Sequence, residues 1–416
     1  MNITISKGEV QGVVNPPCSK SYAQRALAVS LLCKGRSVLR NIDLCDDTLS
    51  AMKCIETLGA KVSHIDESTV QVDGGLSPQG NLLNIGESGL STRLFTPLAS
   101  LWHEPITITG RGSILKRPMT MMIEPLKELG VKVTSKEGYL PFEVCGSIQG
   151  GEVSVDGSVS SQFITGLLLS LPLAKEDTTM TVNRAVSTPY LDMTIETARQ
   201  FGVEISHNNY MEFFVEGDQS YTPTDFKVEG DWSGASVLLV AGAIAGDITL
   251  TNVSMLSKQA DVAICTALVR AGAEVMSEEN AVRVRKRELH AFEFDATQCP
   301  DLFPALVALA AACEGVSTFV GTSRLTHKES NRALTLQEEY AKVGIEVTLE
   351  GDDVMKVKGG KIKNTKVDSH NDHRIAMSMA AAALIGEGEM TICGAECVAK
   401  SYPNFFDDLE SVIVKK

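Results

Sequence analysis

Positive charge is in deficit: 38 Lys and Arg stand against 52 Asp and Glu, giving a formal net charge of −14 and an isoelectric point near 5.1. A surface of that sign argues against general binding of nucleic acid or anionic membranes. The ten cysteines form no CxxC pair, and the closest two, Cys393 and Cys397, make no zinc half-site. Scattered thiols of this kind point to a reduced compartment rather than a disulfide framework. No apolar stretch reaches the about 18 residues that a membrane span needs, and the runs Ala305–Cys313 and Ala376–Ile385 read as buried helices. The opening MNITISKGEV is neither basic nor followed by an apolar core, so a cytoplasmic protein is expected rather than a secreted one. What the chain does have is length: 416 residues, 44% of them hydrophobic, which predicts at least two domains.

It also has a repeat. Five amphipathic segments, CIETLGAKV, EPLKELGVKV, ETARQFGVEI, TALVRAGAEV and EEYAKVGIEV, each end a helical pattern at a glycine. These glycines, Gly59, Gly130, Gly202, Gly272 and Gly344, recur in steps of 70 to 72 residues. Glycine there suits a left-handed residue closing a helix. FFDDLESVIVKK at the end resembles a sixth copy without the glycine. Alternating strands follow, in TVQVDG, LPFEVCG, MEFFVEG, AVRVRK and VMKVKG. A third landmark is a Ser or Asp opening an apolar helix, at Ser19, Ser88, Ser158, Asp231, Asp301 and Asp372, in steps of 69 to 73. Six units, each too small to bury its own apolar faces, predict three units packed in each of two α/β domains. Gathered helix N-termini would offer N–H groups and positive dipole ends to anions.

The polar residues cluster at these helix starts. PPCSKSYAQRALAVSLL puts Lys20, Ser21 and Arg25 in the first turns of a helix, where cations oppose the dipole unless an anion is bound. GESGLSTRLF brackets a turn with Gly86 and Gly89 before Arg93, and GRGSILKRPM places Arg117 before a proline. Ser160, Ser161 and Gln162 open another helix, and Ser187 and Tyr190 lie in a Pro-containing turn. Asp301 precedes an apolar helix, SRLTHKESNR packs Arg324, Lys328, Glu329 and Arg332 together, and His373, Arg374 and Lys400 follow. Each segment alone reads equally well as a capped or ion-paired surface helix. Together, in an acidic chain, they predict a substrate set with at least two phosphate or carboxylate groups. His370, Asp372 and His373 could be read as metal ligands, but no fourth ligand at suitable spacing appears, and no metal is expected.

At these residues, from SKSYAQR to the last repeat, the chain resembles the 5-enolpyruvylshikimate-3-phosphate synthases. The resemblance implies a two-domain inside-out α/β barrel, each domain built of three βαβαββ repeats. Its boundaries would put residues 1–18 and 229–416 in a discontinuous C-terminal domain and 19–228 in the N-terminal one. It implies transfer of the enolpyruvyl group of phosphoenolpyruvate to the 5-hydroxyl of shikimate 3-phosphate, by addition and then elimination of phosphate, with no cofactor. Both substrates would touch Lys20. Shikimate 3-phosphate would be held by Ser21, Arg25, Ser160, Ser161, Gln162, Ser187, Tyr190, Asp301 and Lys328. Phosphoenolpyruvate would be held by Gly89, Arg117, Gln162, Arg332, Arg374 and Lys400, with Lys328 beside it. Lys20, Asp301, Glu329 and His373 would be catalytic, Asp301 as base for the hydroxyl and Glu329 exchanging protons with the methylene carbon. A monomer acting on these small molecules is expected, without nucleic-acid or membrane partners. Glu87, Leu90, Thr326 and Asn331 depart from the common family pattern. The related UDP-N-acetylglucosamine enolpyruvyl transferases usually carry a cysteine in the loop before Arg-Pro, which GRGSILKRP lacks. A non-catalytic binding protein of the same fold is the other alternative.

Overall fold

The computed structural model describes residues 1–415. Its contacts divide the chain into two units, Cys18–Glu229 and the discontinuous Met1–Pro17 with Gly230–Lys416. Each unit is built on three apolar helices. In the first these are Lys20–Leu32, Gly89–Ala99 and Gln162–Ser170. In the second they are Trp232–Ala245, Phe303–Ala311 and His373–Ala383, and every residue of all three is buried. Helices apolar all round belong inside a core. Gly166 shows how close they approach: a Cβ there would collide with the Arg93 carbonyl of the neighbouring helix.

The amphipathic helices lie outside these, at Asp46–Thr57, Ile123–Glu128, Pro189–Gln200, Ile264–Arg270, Arg332–Lys342 and Phe405–Val412. The glycines closing five of them have φ between 84° and 114°, as the repeat predicted. Phe405–Val412 is the sixth copy.

Six small sheets complete the repeats. In the first, Gly35–Arg40 runs parallel to Asp225–Lys227 and antiparallel to Thr69–Gly74, which pairs in turn with Lys61–His64. Four of the other five sheets follow the same order, the last has three strands, and the discontinuous unit borrows strands from the chain's start. Val10–Val14 runs parallel to Gly246–Thr251, and Asn2–Ser6 runs antiparallel to Glu389–Cys393. Among the described residues no helix is long and apolar enough to cross a membrane. All ten cysteines are free thiols.

The Ser/Asp landmark needs one correction. Ser19, Ser88, Asp231 and Asp372 cap their helices, each side chain accepting a backbone N–H of the first turn. Ser158 and Asp301 do not. The helix after Ser158 begins at Gln162, whose N–H bonds the Ser160 hydroxyl. Asp301 lies in the short turn Pro300–Leu302, and its carboxylate is turned towards basic side chains instead.

Candidate active site

In the Cys18–Glu229 unit the buried Arg25 and Arg93 are answered by neutral groups. Arg25 is 1% exposed. Its Nε donates to Thr194 Oγ1 at 3.0 Å and its Nη1 to the Ser21 carbonyl at 2.9 Å. Its Nη2 donates to Thr165 Oγ1 at 3.1 Å and to the Tyr190 carbonyl at 3.0 Å. None of these acceptors carries charge, and burial pulls the guanidinium pKa down to about 10. An anion brought alongside would offset that cost.

A second such centre lies at Gly89. Arg93 Nη1 donates to Gln162 Oε1 at 2.9 Å, and its buried Nε has no hydrogen-bond partner. A Cβ on Gly89 would stand 3.1 Å from Nη1 of both Arg93 and Arg117, and 3.6 Å from Gln162 Oε1. Burial, with Arg117 adding to it, lowers the Arg93 pKa to about 10. Two guanidiniums, a carboxamide and the start of the Gly89–Ala99 helix thus converge on one glycine, the composition of an anion site. Gln24, fully buried, takes the Ser91 hydroxyl at 3.0 Å and ties the Lys20–Leu32 helix to this one. Lys20 differs from these arginines: its ammonium is 3.0 Å from Asp47. Ser161 is buried at the start of Gln162–Ser170, and Ser187, with φ of 53°, gives its carbonyl to the Tyr190 N–H.

The discontinuous unit answers its cations with carboxylates. Arg332 is fully buried and donates from Nε to Asp372 at 2.9 Å, from Nη1 to Asp301 at 2.8 Å and from Nη2 to Glu329 at 2.6 Å. Lys328 lies 3.1 Å from Asp301 and Arg374 Nη2 3.5 Å from it. Burial works to raise the Asp301 pKa, but Arg374, Lys328 and Arg332 prevail and hold the carboxyl well below its usual range. Asp261 behaves oppositely: burial first, then Asp301, pushes it up to about 7, against Arg374. Its Oδ1 is buried without a hydrogen-bond partner. A carboxyl and a carboxylate held apart in this way can carry a proton at neutral pH. His373, 1% exposed, opens the His373–Ala383 helix, and Lys400 Nζ donates to the Asn371 carbonyl at 2.7 Å.

The matching family model, EPSP synthase (3-phosphoshikimate 1-carboxyvinyltransferase), covers residues 5–409. A protein of Clostridium novyi named 3-phosphoshikimate 1-carboxyvinyltransferase is 35% identical over 99% of this chain and 97% of its own. One of Methanococcoides burtonii with the same name is 36% identical over 99% and 98%.

The chain belongs to the EPSP synthase family.

The solved EPSP synthase of Acinetobacter baumannii superposes over 100% of this chain and 98% of its own with a TM-score of 0.85 at 26% identity. The enolpyruvyl transferase NikO of Streptomyces tendae shares the fold at TM-score 0.80 and 16% identity, over 98% and 96% of the two chains. The two-domain inside-out α/β fold of EPSP synthases is therefore this chain's fold. Two of the departures from the common EPSP synthase pattern, Asn331 and Glu87, have identifiable local surroundings. Asn331 caps the Arg332–Lys342 helix through Leu334 N–H, a role Asp would also fill. Glu87 lies over the Gly112 backbone, in the loop leading to Arg117. Five polar residues absent from the predicted site now stand beside it: Arg93, Asp47, Thr165, Thr194 and Asp261. Asp372, foreseen as a helix opener, is also the main carboxylate partner of Arg332.

Proposed function

We propose that this enzyme transfers the enolpyruvyl group of phosphoenolpyruvate to the 5-hydroxyl of shikimate 3-phosphate and releases phosphate. Whole-length kinship with proteins named 3-phosphoshikimate 1-carboxyvinyltransferase carries the reading. The cation-rich chemistry supports it, because each of the two substrates carries a phosphate and a carboxylate.

In the Cys18–Glu229 unit, Ser21 and Arg25 are proposed to bind shikimate 3-phosphate, with Ser160, Ser161 and Ser187 on its phosphate and Tyr190 nearby. A dianion there would supply the countercharge that Arg25 now draws only from hydroxyls and carbonyls. Arg117, Gln162 and Gly89, joined by Arg93, are proposed for an anionic group of phosphoenolpyruvate. In the other unit Arg332, Arg374 and Lys400 are assigned to the same substrate, and Asp301 with Lys328 to the hydroxyls of shikimate.

The reaction opens with the 5-hydroxyl oxygen bonding to the central carbon of phosphoenolpyruvate while the methylene carbon takes a proton. Asp301 is assigned as the base that takes the hydroxyl proton, and Glu329, with Lys20 and His373, to proton exchange at the methylene carbon. Loss of phosphate and of one methyl proton then restores the double bond. Glu329 already accepts from Arg332 Nη2, so substrate charge would compete with it for that arginine. The enzyme is proposed to be a cytoplasmic monomer, which size-exclusion chromatography checks for its oligomeric part.

Phosphate release decides the matter. With shikimate 3-phosphate and phosphoenolpyruvate the expected result is one phosphate per enolpyruvyl product. Release with UDP-N-acetylglucosamine in place of shikimate 3-phosphate overturns the acceptor assignment, and binding of both substrates without turnover overturns the enzyme reading.

A further inference from the structure

The segment joining strand Lys366–Asp368 to helix His373–Ala383 carries more of the site than its length suggests. His370 and Asn371 are consecutive left-handed residues, with φ of 50° and 55°. That conformation is disfavoured for side-chain-bearing residues and persists where contacts hold it. The turn delivers two things. The Asn371 carbonyl receives Lys400 Nζ at 2.7 Å. The Asp372 carboxylate, fully buried, receives Arg332 Nε at 2.9 Å, Arg332 Nη2 at 3.2 Å, the Ser330 hydroxyl at 3.1 Å and the Arg374 N–H at 3.0 Å.

Its anchor is a side chain the reaction does not use. Glu339 is fully buried on the Arg332–Lys342 helix, two turns beyond Arg332. Its Oε2 accepts the Asp368 N–H at 2.9 Å, and its Oε1 lies 2.6 Å from His370 Nε2. Lys342 Nζ stands 2.6 Å from that same Oε1 and 3.2 Å from Glu338. Glu338, Glu339 and His370 have ligand atoms close enough for a metal, but the Lys342 ammonium already occupies the cation's role there. One helix thus presents Arg332 at its start and, from its interior, grips the strand end and the first half of the turn that receives Arg332.

We propose that Glu339 is a positioning residue for phosphoenolpyruvate: through the Ser369–Asp372 turn it sets Lys400, Arg332 and the start of the His373–Ala383 helix. The inference rests on the assignment of Lys400, Arg332 and Arg374 to that substrate. Its signature is selective. Displacing the turn should weaken phosphoenolpyruvate and leave shikimate 3-phosphate alone, whereas a merely structural carboxylate would lower both with stability.

The test measures KM for each substrate, kcat and Tm in Glu339→Gln, Glu339→Ala, Lys342→Met and Lys400→Met. Glu339→Ala is expected to raise the phosphoenolpyruvate KM about tenfold or more, as misplaced binding groups do. Glu339→Gln, which keeps an acceptor for Asp368, should recover part of that loss. The shikimate 3-phosphate KM should stay within about twofold, and Lys342→Met should lower Tm without moving either KM. Should Glu339→Ala not fold, Glu339→Gln against Lys342→Met carries the comparison. The proposal falls if both KM values rise together in the Glu339 variants, or if Lys342→Met matches their effect. If Lys400→Met raises the phosphoenolpyruvate KM and Glu339→Gln and Glu339→Ala do not, the inference alone is wrong. If Lys400→Met leaves that KM unchanged, the assignment beneath it is wrong too.

Discussion

The two units bury cations by different means. Around Arg25 and Arg93 the acceptors are hydroxyls, carbonyls and the Gln162 carboxamide. Around Arg332 they are the carboxylates of Asp301, Glu329 and Asp372. A guanidinium with neutral partners keeps its charge for a ligand, and its lowered pKa records what that costs. One enclosed by carboxylates has spent its charge on the protein, and together with Arg374 and Lys328 it holds the Asp301 carboxyl well below its usual range. The repeats supply the same helix starts to both units, so the division of labour comes from a few side chains placed on a common frame.

The sharpest way to break this comparison is at a carboxylate. Glu329→Gln keeps the shape and one acceptor for Arg332 but cannot exchange a proton. Turnover should fall about 10²–10⁴-fold with shikimate 3-phosphate binding largely kept. Stopped-flow or quench measurements of kcat against a calorimetric binding constant separate the two, and near-normal turnover moves the proton-transfer role elsewhere. Next comes charge removal in each half. Arg332→Met leaves the buried Asp372 and the half-buried Asp301 and Glu329 short of a partner and should cost about 3–5 kcal/mol by urea denaturation. Arg25→Met strands only neutral acceptors, at about 1–3 kcal/mol, yet should raise the shikimate 3-phosphate KM. Equal stability losses would erase the distinction drawn here.

A smaller effect is expected at Gly89. Ala would put a methyl 3.1 Å from two guanidinium nitrogens, whose flexible ends can shift by a few tenths of an ångström. The phosphoenolpyruvate KM should rise about tenfold, the equivalent of 1.4 kcal/mol, with the fold intact. An unchanged KM would detach Arg93 and Arg117 from that substrate. The smallest effect concerns Asp261. Its folded pKa of about 7 lies above the unfolded value near 3.8, so the folded state holds a proton that the unfolded state has lost between those pH values. Its contribution is fully present below pH 4 and is lost as pH rises to about 7. Asp261→Asn cannot ionise, so its Tm relative to the parent should be higher at pH 8 than at pH 5, by a few degrees. A constant difference across that range removes Asp261 from the carboxyl pair.

Much of the frame was readable in residue order. The recurring glycines, alternating strands and Ser/Asp helix openers are local signals, and the six sheets and paired helices follow them. The segments holding the proposed site were legible for the same reason, since they sit at helix starts. Partnerships across the chain were not. Arg25 finds Thr165 and Thr194 at sequence separations of 140 and 169, and Arg332 finds Asp372 at 40. Asp261 lies at no repeat landmark, and its burial beside Asp301 left no local pattern. Arg332 also shows a limit of motif reading: a basic residue in a cation-rich segment looks ligand-facing until its carboxylate neighbours are in place.

The borrowed strands set a timetable for synthesis. Every sheet of the Cys18–Glu229 unit finds its partners within that stretch, so its pairings can form as soon as Asp225–Lys227 leaves the ribosome. Asn2–Ser6 is made first and paired last, because its neighbour Glu389–Cys393 is nearly the whole chain away. At about 5–20 residues per second this strand stays single for tens of seconds. Its short length and alternation of exposed and buried positions limit what else it can pair with meanwhile. A nascent chain halted before residue 389 would carry a finished inner unit and two loose ends that only the final repeat can join.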